Sequence, residues 1–327
     1  MKRNFFINFF LIFFSIIFTF IIVEIFLKIN NKNNQKIIPL DLNEPIVNKF
    51  DKELGWKLQK GVYYYESFGT EKKNFTITIT ENEYRKSADE IKKKKDIIFL
   101  GGSITFGFGV NDNETFVSNI NKKIQNYNFK NYGTGGYGTY QSYLLLERIL
   151  KNNKNIDHIF AIYNKDHEIR NVGNEEWLGI LTKFSKRGYL KLPYARLDKN
   201  GNLIRKKPIK YIELPLSDNL LTVNKIEKNI MRLIFFLNSS NAELTTIKIF
   251  DKMNELSKQN NVKLTVLSLS GELNQNYKNF FKKNDITQIE CNLPISEPYV
   301  IKGDGHPNEL GHKQIANCIL DQFSKVL

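Results

Sequence analysis

The chain has 327 residues, 41% hydrophobic and 25% charged, enough apolar material for one good-sized core, so a mostly globular chain is expected. Its 48 Lys and Arg against 34 Asp and Glu give a net charge of +14, which favours anionic surfaces: phospholipid, nucleic acid or acidic glycan. No arginine-rich helix, zinc-finger spacing or aromatic RNA-binding signature accompanies that charge, so no nucleic-acid partner is expected, and a lysine-rich coding bias explains the charge equally well.

Phe5 to Leu27 is apolar except at Asn8, Ser15, Thr19 and Glu24. At helical rise the run covers about 34 Å, enough for a bilayer core. It closes on Glu24-Ile25-Phe26-Leu27-Lys28 with no small-residue cleavage site, so residues 1–28 are read as an uncleaved anchor. Lys2 and Arg3 on one side nearly balance Lys28, Lys32 and Lys36 on the other. Long domains translocate regardless of such charge, and the bulk of the chain is expected outside the cytoplasm.

Residues 29–50 are polar, Asn/Lys-rich and carry Pro39 and Pro45, as a tether does. Residues 51–95 read as a β-rich lead-in: Gly55-Trp56-Lys57-Leu58 opens it, and Asn74 to Thr80 alternates with period two. The charge run Lys92 to Lys95 is read as a solvated loop.

From Asp96 to the end the pattern alternates. Strands are predicted at Asp96–Leu100, Phe129–Tyr132, Ile156–Tyr163 and Lys263–Leu269, and helices at Glu114–Tyr127, Gln141–Leu150, Ala242–Asn260 and Asn308–Val326. Such alternation implies parallel pairing and a three-layer α/β/α domain over 96–327. Residues 171–225 fit less well. They read as an insertion with a hairpin at Asn200-Gly201, expected over the mouth of the sheet. Cys291 and Cys318 are too far apart for a zinc site. They are read as small buried hydrophobes, or as a disulfide if the domain is exported.

Ile97-Ile98-Phe99-Leu100-Gly101-Gly102-Ser103 carries the chemistry: a buried strand ends in two glycines and a hydroxyl follows at once. That places Ser103 at the carboxyl edge of the sheet, where open α/β sheets bind ligands. A serine hydroxyl needs a base, and Asp304-Gly305-His306 offers an imidazole with a carboxylate to orient it. Pro307 and Asn308 are read as the start of the last helix. Acyl transfer also needs oxyanion donors. The Ser103 N–H, the glycine loop Asn131–Thr139 and a side-chain amide from Tyr163-Asn164-Lys165-Asp166 are the candidates. His312 is read as a surface or capping residue, and His158 and His167 have no carboxylate spacing that would make them metal ligands. Trp56 and Trp177 are read either as core or as the lining of a sugar site. No metal or cofactor is expected.

In this order, Gly101-Gly102-Ser103, the glycine loop after Asn131, the Asn164 loop and Asp304-Gly305-His306 resemble the four blocks of the SGNH/GDSL hydrolase family. Leu54-Gly55-Trp56, Tyr84-Arg85 and Phe106-Gly107-Phe108-Gly109-Val110 resemble its membrane-anchored branch associated with cell-envelope glycans. The resemblance implies a flavodoxin-like fold and an esterase or acyltransferase acting on an acylated glycan or lipid, with O-acetyl groups expected. It implies Ser103 as nucleophile, His306 as base, and Ser103, Gly136 and Asn164 as oxyanion donors. Three departures stand out: Gly102 replaces the usual aspartate, the third block reads Asn164-Lys165-Asp166, so that Lys165 is a rival for the Asn164 position, and the usual acid position is Gly303, with Asp304 one residue later. Asp304 or a backbone carbonyl is left to orient the ring. A nucleotide-binding domain is disfavoured, because no Gly-Lys-Ser/Thr or Gly-x-Gly-x-x-Gly follows a strand. A non-catalytic glycan-binding or assembly protein is the remaining alternative. Oligomeric state is not legible.

Overall fold

The structure is a computed structural model that describes residues 2–30, 47–67, 70, 72–87, 94–184, 191–236, 241–269, 271–292 and 296–326. Helix α1 (Lys2–Asn30) is continuous and apolar on all sides, and its length and composition suffice to cross a membrane. Its side chains from Phe6 to Thr19 are exposed, while Phe20, Glu24 and Leu27, at helical spacing, turn in against the body. Most of the segment read as a tether, 31–46, and Lys92-Lys93 of the charge run lie outside the described residues.

Two antiparallel pairs follow. β1 (Asn48–Asp51) pairs with β2 (Gly55–Leu58), and β3 (Gly61–Glu66) with β4 (Asn74–Ile79). The period-two pattern of β4 buries Phe75, Ile77 and Ile79, which join Leu58, Tyr63 and Phe106 in a small core of their own.

The main sheet is built from β5 (Lys95–Leu100), β6 (Tyr127–Asn131), β7 (Ile156–Tyr163), β10 (Lys263–Ser268) and β11 (Thr287–Glu290). All are parallel, in the order β11-β10-β7-β5-β6. That is the flavodoxin-like winding, and its order reverses between β5 and β7, where such sheets bind ligands at their carboxyl ends. Alternate residues of β5 serve opposite layers. Ile98 and Leu100 pack with Leu144 and Leu146 of α4 (Thr139–Asn152) and Phe250 of α8 (Ala242–Gln259). Ile97 and Phe99 pack with Phe116 and Ile120 of α3 (Phe116–Lys123) and Ile315 and Ile319 of α10 (Glu309–Val326). Burial on both faces explains why these strands read as unbroken apolar runs.

Short helices α2 (Ser103–Phe106) and α5 (Glu168–Asn171) follow β5 and β7, and α9 (Gln275–Lys283) precedes β11. The segment read as an insertion contains α6 (Glu175–Phe184), a hairpin of β8 (Lys191–Leu197) and β9 (Leu203–Lys210) turning at Asn200-Gly201, and the start of α7 (Leu221–Phe236), which runs past residue 225. The hairpin packs on the helical layer, against α4 and α8, rather than over the mouth of the sheet. Helix α6 does reach the loops at the sheet's carboxyl edge: its Trp177 and Leu181 lie against Gly136.

The preferred reading of the two cysteines is corrected. Cys291, just after β11, and Cys318 on α10 are joined in a disulfide across 27 residues. Both belong to the same apolar layer, so burial and bonding coincide.

Candidate active site

The apolar strand β5 ends at Leu100, two glycines turn the chain, and α2 begins at Ser103. The turn is crowded: a Cβ on Gly102 would lie 3.0 Å from His167 Cε1 and 3.1 Å from Tyr137 O. A side chain at 102 would push into His167, which accounts for a glycine where the resemblance calls for an aspartate. The loop beyond α2 is held by Arg85, whose side chain is fully buried. Its Nη1 donates to Phe106 O (2.8 Å) and Gly107 O (2.5 Å), its Nη2 to Val110 O (2.6 Å) and Thr76 O (3.1 Å), and its Nε to Asp112 Oδ1 (2.9 Å). The lead-in strands are thereby tied to the segment that carries Ser103.

At the other end of the chain a tight loop is closed by Ile301 N donating to His306 O (2.8 Å) and by Asp304 N (3.1 Å) and Gly305 N (3.0 Å) donating to Ile301 O. Gly303, at φ +80, supplies the left-handed turn. Pro307 lies in a bridge to Val300 rather than in the first turn of α10. Asn308 caps that helix, its Oδ1 accepting from Leu310 N (3.0 Å) and Gly311 N (3.1 Å).

These two regions meet. Ser103 Oγ lies 2.8 Å from His306 Nε2, and His306 Nδ1 lies 2.9 Å from Asp304 Oδ1. A carboxylate can only accept, so Nδ1 carries the ring proton and Nε2 is left to accept from the serine hydroxyl. Asp304, rather than a backbone carbonyl, is therefore the group on Nδ1. The Asp304 side chain is 7% exposed and that of His306 27%, so the carboxylate is enclosed while the imidazole keeps an open edge. Phe108 covers another side of the ring, with centroids 5.3 Å apart. Asp304 Oδ2 is buried with no hydrogen-bond donor among the described residues.

The proposed oxyanion donors lie on the neighbouring strand ends. Ser103 opens a helix, so its N–H has no intrahelical acceptor. Gly136 follows β6 at φ +82, a conformation that favours glycine, under the rings of Trp56 and Trp177. Its N–H has no acceptor among the described residues. Trp56 is core: it is buried, and its Nε1 donates to Gly135 O at 2.9 Å. Asn164 follows β7, and its Oδ1 accepts from Asp166 N at 3.1 Å. That bond fixes which end of the amide remains to donate. Lys165 is exposed.

Sequence reasoning gave two residues here no part in the site. His167 packs against Gly102, and burial, with Arg170 and His306 adding to it, pulls its pKa down to about 3, so a neutral ring borders the turn that carries Ser103. Arg170 lies over the Trp177 ring at 3.8 Å and donates to Tyr137 O at 3.4 Å. Burial lowers its pKa to about 10, opposed by Asp166. Their only signal in the sequence is position, just after Asn164. The reading of His312 as a surface residue is corrected: it is fully buried, stacks on Phe116, and its Nδ1 accepts the Phe116 N–H at 3.2 Å, capping α3 rather than its own helix. His158 is also buried, with Nε2 2.8 Å from Thr265 Oγ1, between two strands of the sheet.

No family model matches the chain, and no curated protein matches it. Among solved structures, it is similar to a member of the lipolytic protein G-D-S-L family from Veillonella parvula, with 15% identity over 71% of this chain and 99% of that one, at a TM-score of 0.41. A psychrotrophic esterase from Pseudoalteromonas sp. is 10% identical over 71% of this chain and 98% of its own, at a TM-score of 0.41. An alpha/beta hydrolase enzyme from the metagenome of Lake Arreo, Spain, is 11% identical over 71% and 96%, at a TM-score of 0.42.

Proposed function

We propose that the protein is a membrane-anchored serine ester hydrolase that removes O-acyl groups, acetyl foremost, from an envelope glycan or lipid. In this reading residues 1–28 are the anchor, 29–50 the tether, 51–95 a lead-in that braces the site, and 96–327 the hydrolase domain with its insertion at 171–225. The observation that carries it is the hydrogen-bonded series Ser103–His306–Asp304 at the reversal point of the sheet.

Ser103 Oγ attacks the acyl carbonyl while His306 Nε2 takes its proton, and Asp304 stabilises the imidazolium. The oxyanion accepts from Ser103 N–H, Gly136 N–H and Asn164 Nδ2. Collapse expels the alcohol, which takes the proton back from His306. Water, deprotonated by the same imidazole, then attacks the acyl-serine and releases the acid. Two features support the substrate class and location. Trp177, half-buried beside Gly136 with Arg170 over its ring, leaves only part of its indole open for apolar contact with a sugar ring. The Cys291–Cys318 bond suits an oxidising compartment, and so a domain outside the cytoplasm.

The full chain in detergent should hydrolyse p-nitrophenyl acetate, and Ser103→Ala should reduce turnover to background. His306→Ala should cost about a thousandfold or more with the fold retained. Undiminished turnover in folded Ser103→Ala would remove the reading.

A further inference from the structure

Helix α1 does not simply trail into a tether. Its Glu24 carboxylate accepts the Leu221 N–H (3.0 Å), the Thr222 N–H (2.8 Å) and the Thr222 hydroxyl (2.8 Å), and so caps the N-terminus of α7. Lys28 Nζ lies 3.3 Å from the same carboxylate. With 29 residues α1 is about 43 Å long, longer than a hydrocarbon core of ~30 Å. Glu24 and Lys28 therefore fall at headgroup depth when the apolar part of α1 spans, and α7 starts at that depth. The exposed side chains of α1 from Phe6 to Thr19 show that α7 does not run alongside the span.

Helix α7 has three faces. Glu227, Met231 and Phe235 are buried against the body. Ile226 (45% exposed), Ile230 (38%), Leu233 (58%) and Phe236 (72%) form a second, open apolar stripe. Lys225, Lys228 and Arg232 are exposed along the edge between them, with Arg232 3.5 Å from Glu175. A stripe of large apolar groups edged by cations is what a helix in the plane of a membrane presents, and the net charge of +14 favours an anionic leaflet.

We infer that α7 lies in the surface of an anionic phospholipid bilayer, its Ile226–Phe236 stripe in the acyl boundary and its Lys225, Lys228 and Arg232 edge among the headgroups. The inference rests on reading α1 as a membrane anchor, which brings this helix to the correct depth. It has a consequence for the site. Helix α6 packs on α7, and its Trp177 and Leu181 lie against Gly136, so the bilayer contact stands one helix away from the loop facing Ser103.

The test uses the full chain in nanodiscs containing phosphatidylglycerol. With Cys291 and Cys318 paired, a single added cysteine carries an environment-sensitive fluorophore at Phe14, Ile226, Leu233 or, on the far side of the sheet, Lys313. Lipids spin-labelled near the headgroup should quench the Ile226→Cys and Leu233→Cys labels at least about twofold and leave Lys313→Cys unchanged. Lipids spin-labelled at the chain ends should quench Phe14→Cys. Quenching at Phe14 with none at Ile226 and Leu233 overturns the inference and leaves the anchor standing. No quenching at Phe14 removes the anchor itself. A Leu233 label shielded from a water-soluble quencher yet untouched by spin-labelled lipid would mean that protein, a second copy included, covers the stripe, and this too overturns the inference.

Discussion

Asp304 is two residues from the histidine it holds, a spacing that needs a tight loop. Gly303 and Gly305 both adopt positive φ around it, and the backbone bonds to Ile301 O close the turn. The carboxylate then meets Nδ1 while Nε2 faces Ser103. In the proposed mechanism it keeps the ring in one tautomer and stabilises the imidazolium, so Asp304→Asn should cut kcat by about two to four orders of magnitude with little change in melting temperature. An unchanged kcat would hand the orienting role to a backbone carbonyl. Ser103 and His306 were legible from residue type and setting, because two glycines after a buried strand and an Asp-Gly-His turn are local signals. The contact of His167 with Gly102 was not legible, since it depends on the return of α5 to the turn after β5, a long-range fact that no local pattern carries. The same holds for His312. Its sequence neighbours place it on a helix, but only the packing of α10 on α3 decides that the ring points inward.

Among the elements, the lead-in strands matter more to the site than their small size suggests. Phe75 and Ile77 of β4 share a core with Phe106, the last residue of α2, and Arg85 adds hydrogen bonds to the carbonyls of Phe106 and of Gly107 and Val110 in the loop that follows. A fully buried guanidinium is tolerable only with such partners. Arg85→Leu would strand Asp112 and those carbonyls, and should destabilise the protein by about 3–5 kcal/mol, read as a fall in melting temperature. An unaltered melting temperature would show that the loop holds without it. Helices α4, α8 and α10 and the period-two strand β4 were legible because their periods are strong, whereas α7 was not singled out. Strand β11 and helix α9 were not singled out: β11 is four residues long and only one of them, Ile289, is buried, while α9 is rich in Asn and Lys and buries only Tyr277 and Phe281.

For the whole molecule, the parallel sheet joins residues far apart in sequence: the serine stands a third of the way along the chain and its imidazole 203 residues later. The flavodoxin-like winding makes this possible by putting β5 and β7 side by side at the reversal point, with the last loop folded onto their carboxyl ends. The disulfide braces the same layer by tying the end of β11 to α10. Replacing both Cys291 and Cys318 by serine opens a 27-residue loop in the unfolded chain and should cost about 3–4 kcal/mol of stability. No loss would indicate unpaired thiols and argue against an oxidising compartment. The most direct measurement of the central claim is peptide mass mapping of the full chain after reaction with a fluorophosphonate. The account predicts one adduct, on Ser103, absent in Ser103→Ala and formed far more slowly in His306→Ala. A folded protein that stays unlabelled, or that carries its adduct on another residue, would contradict it.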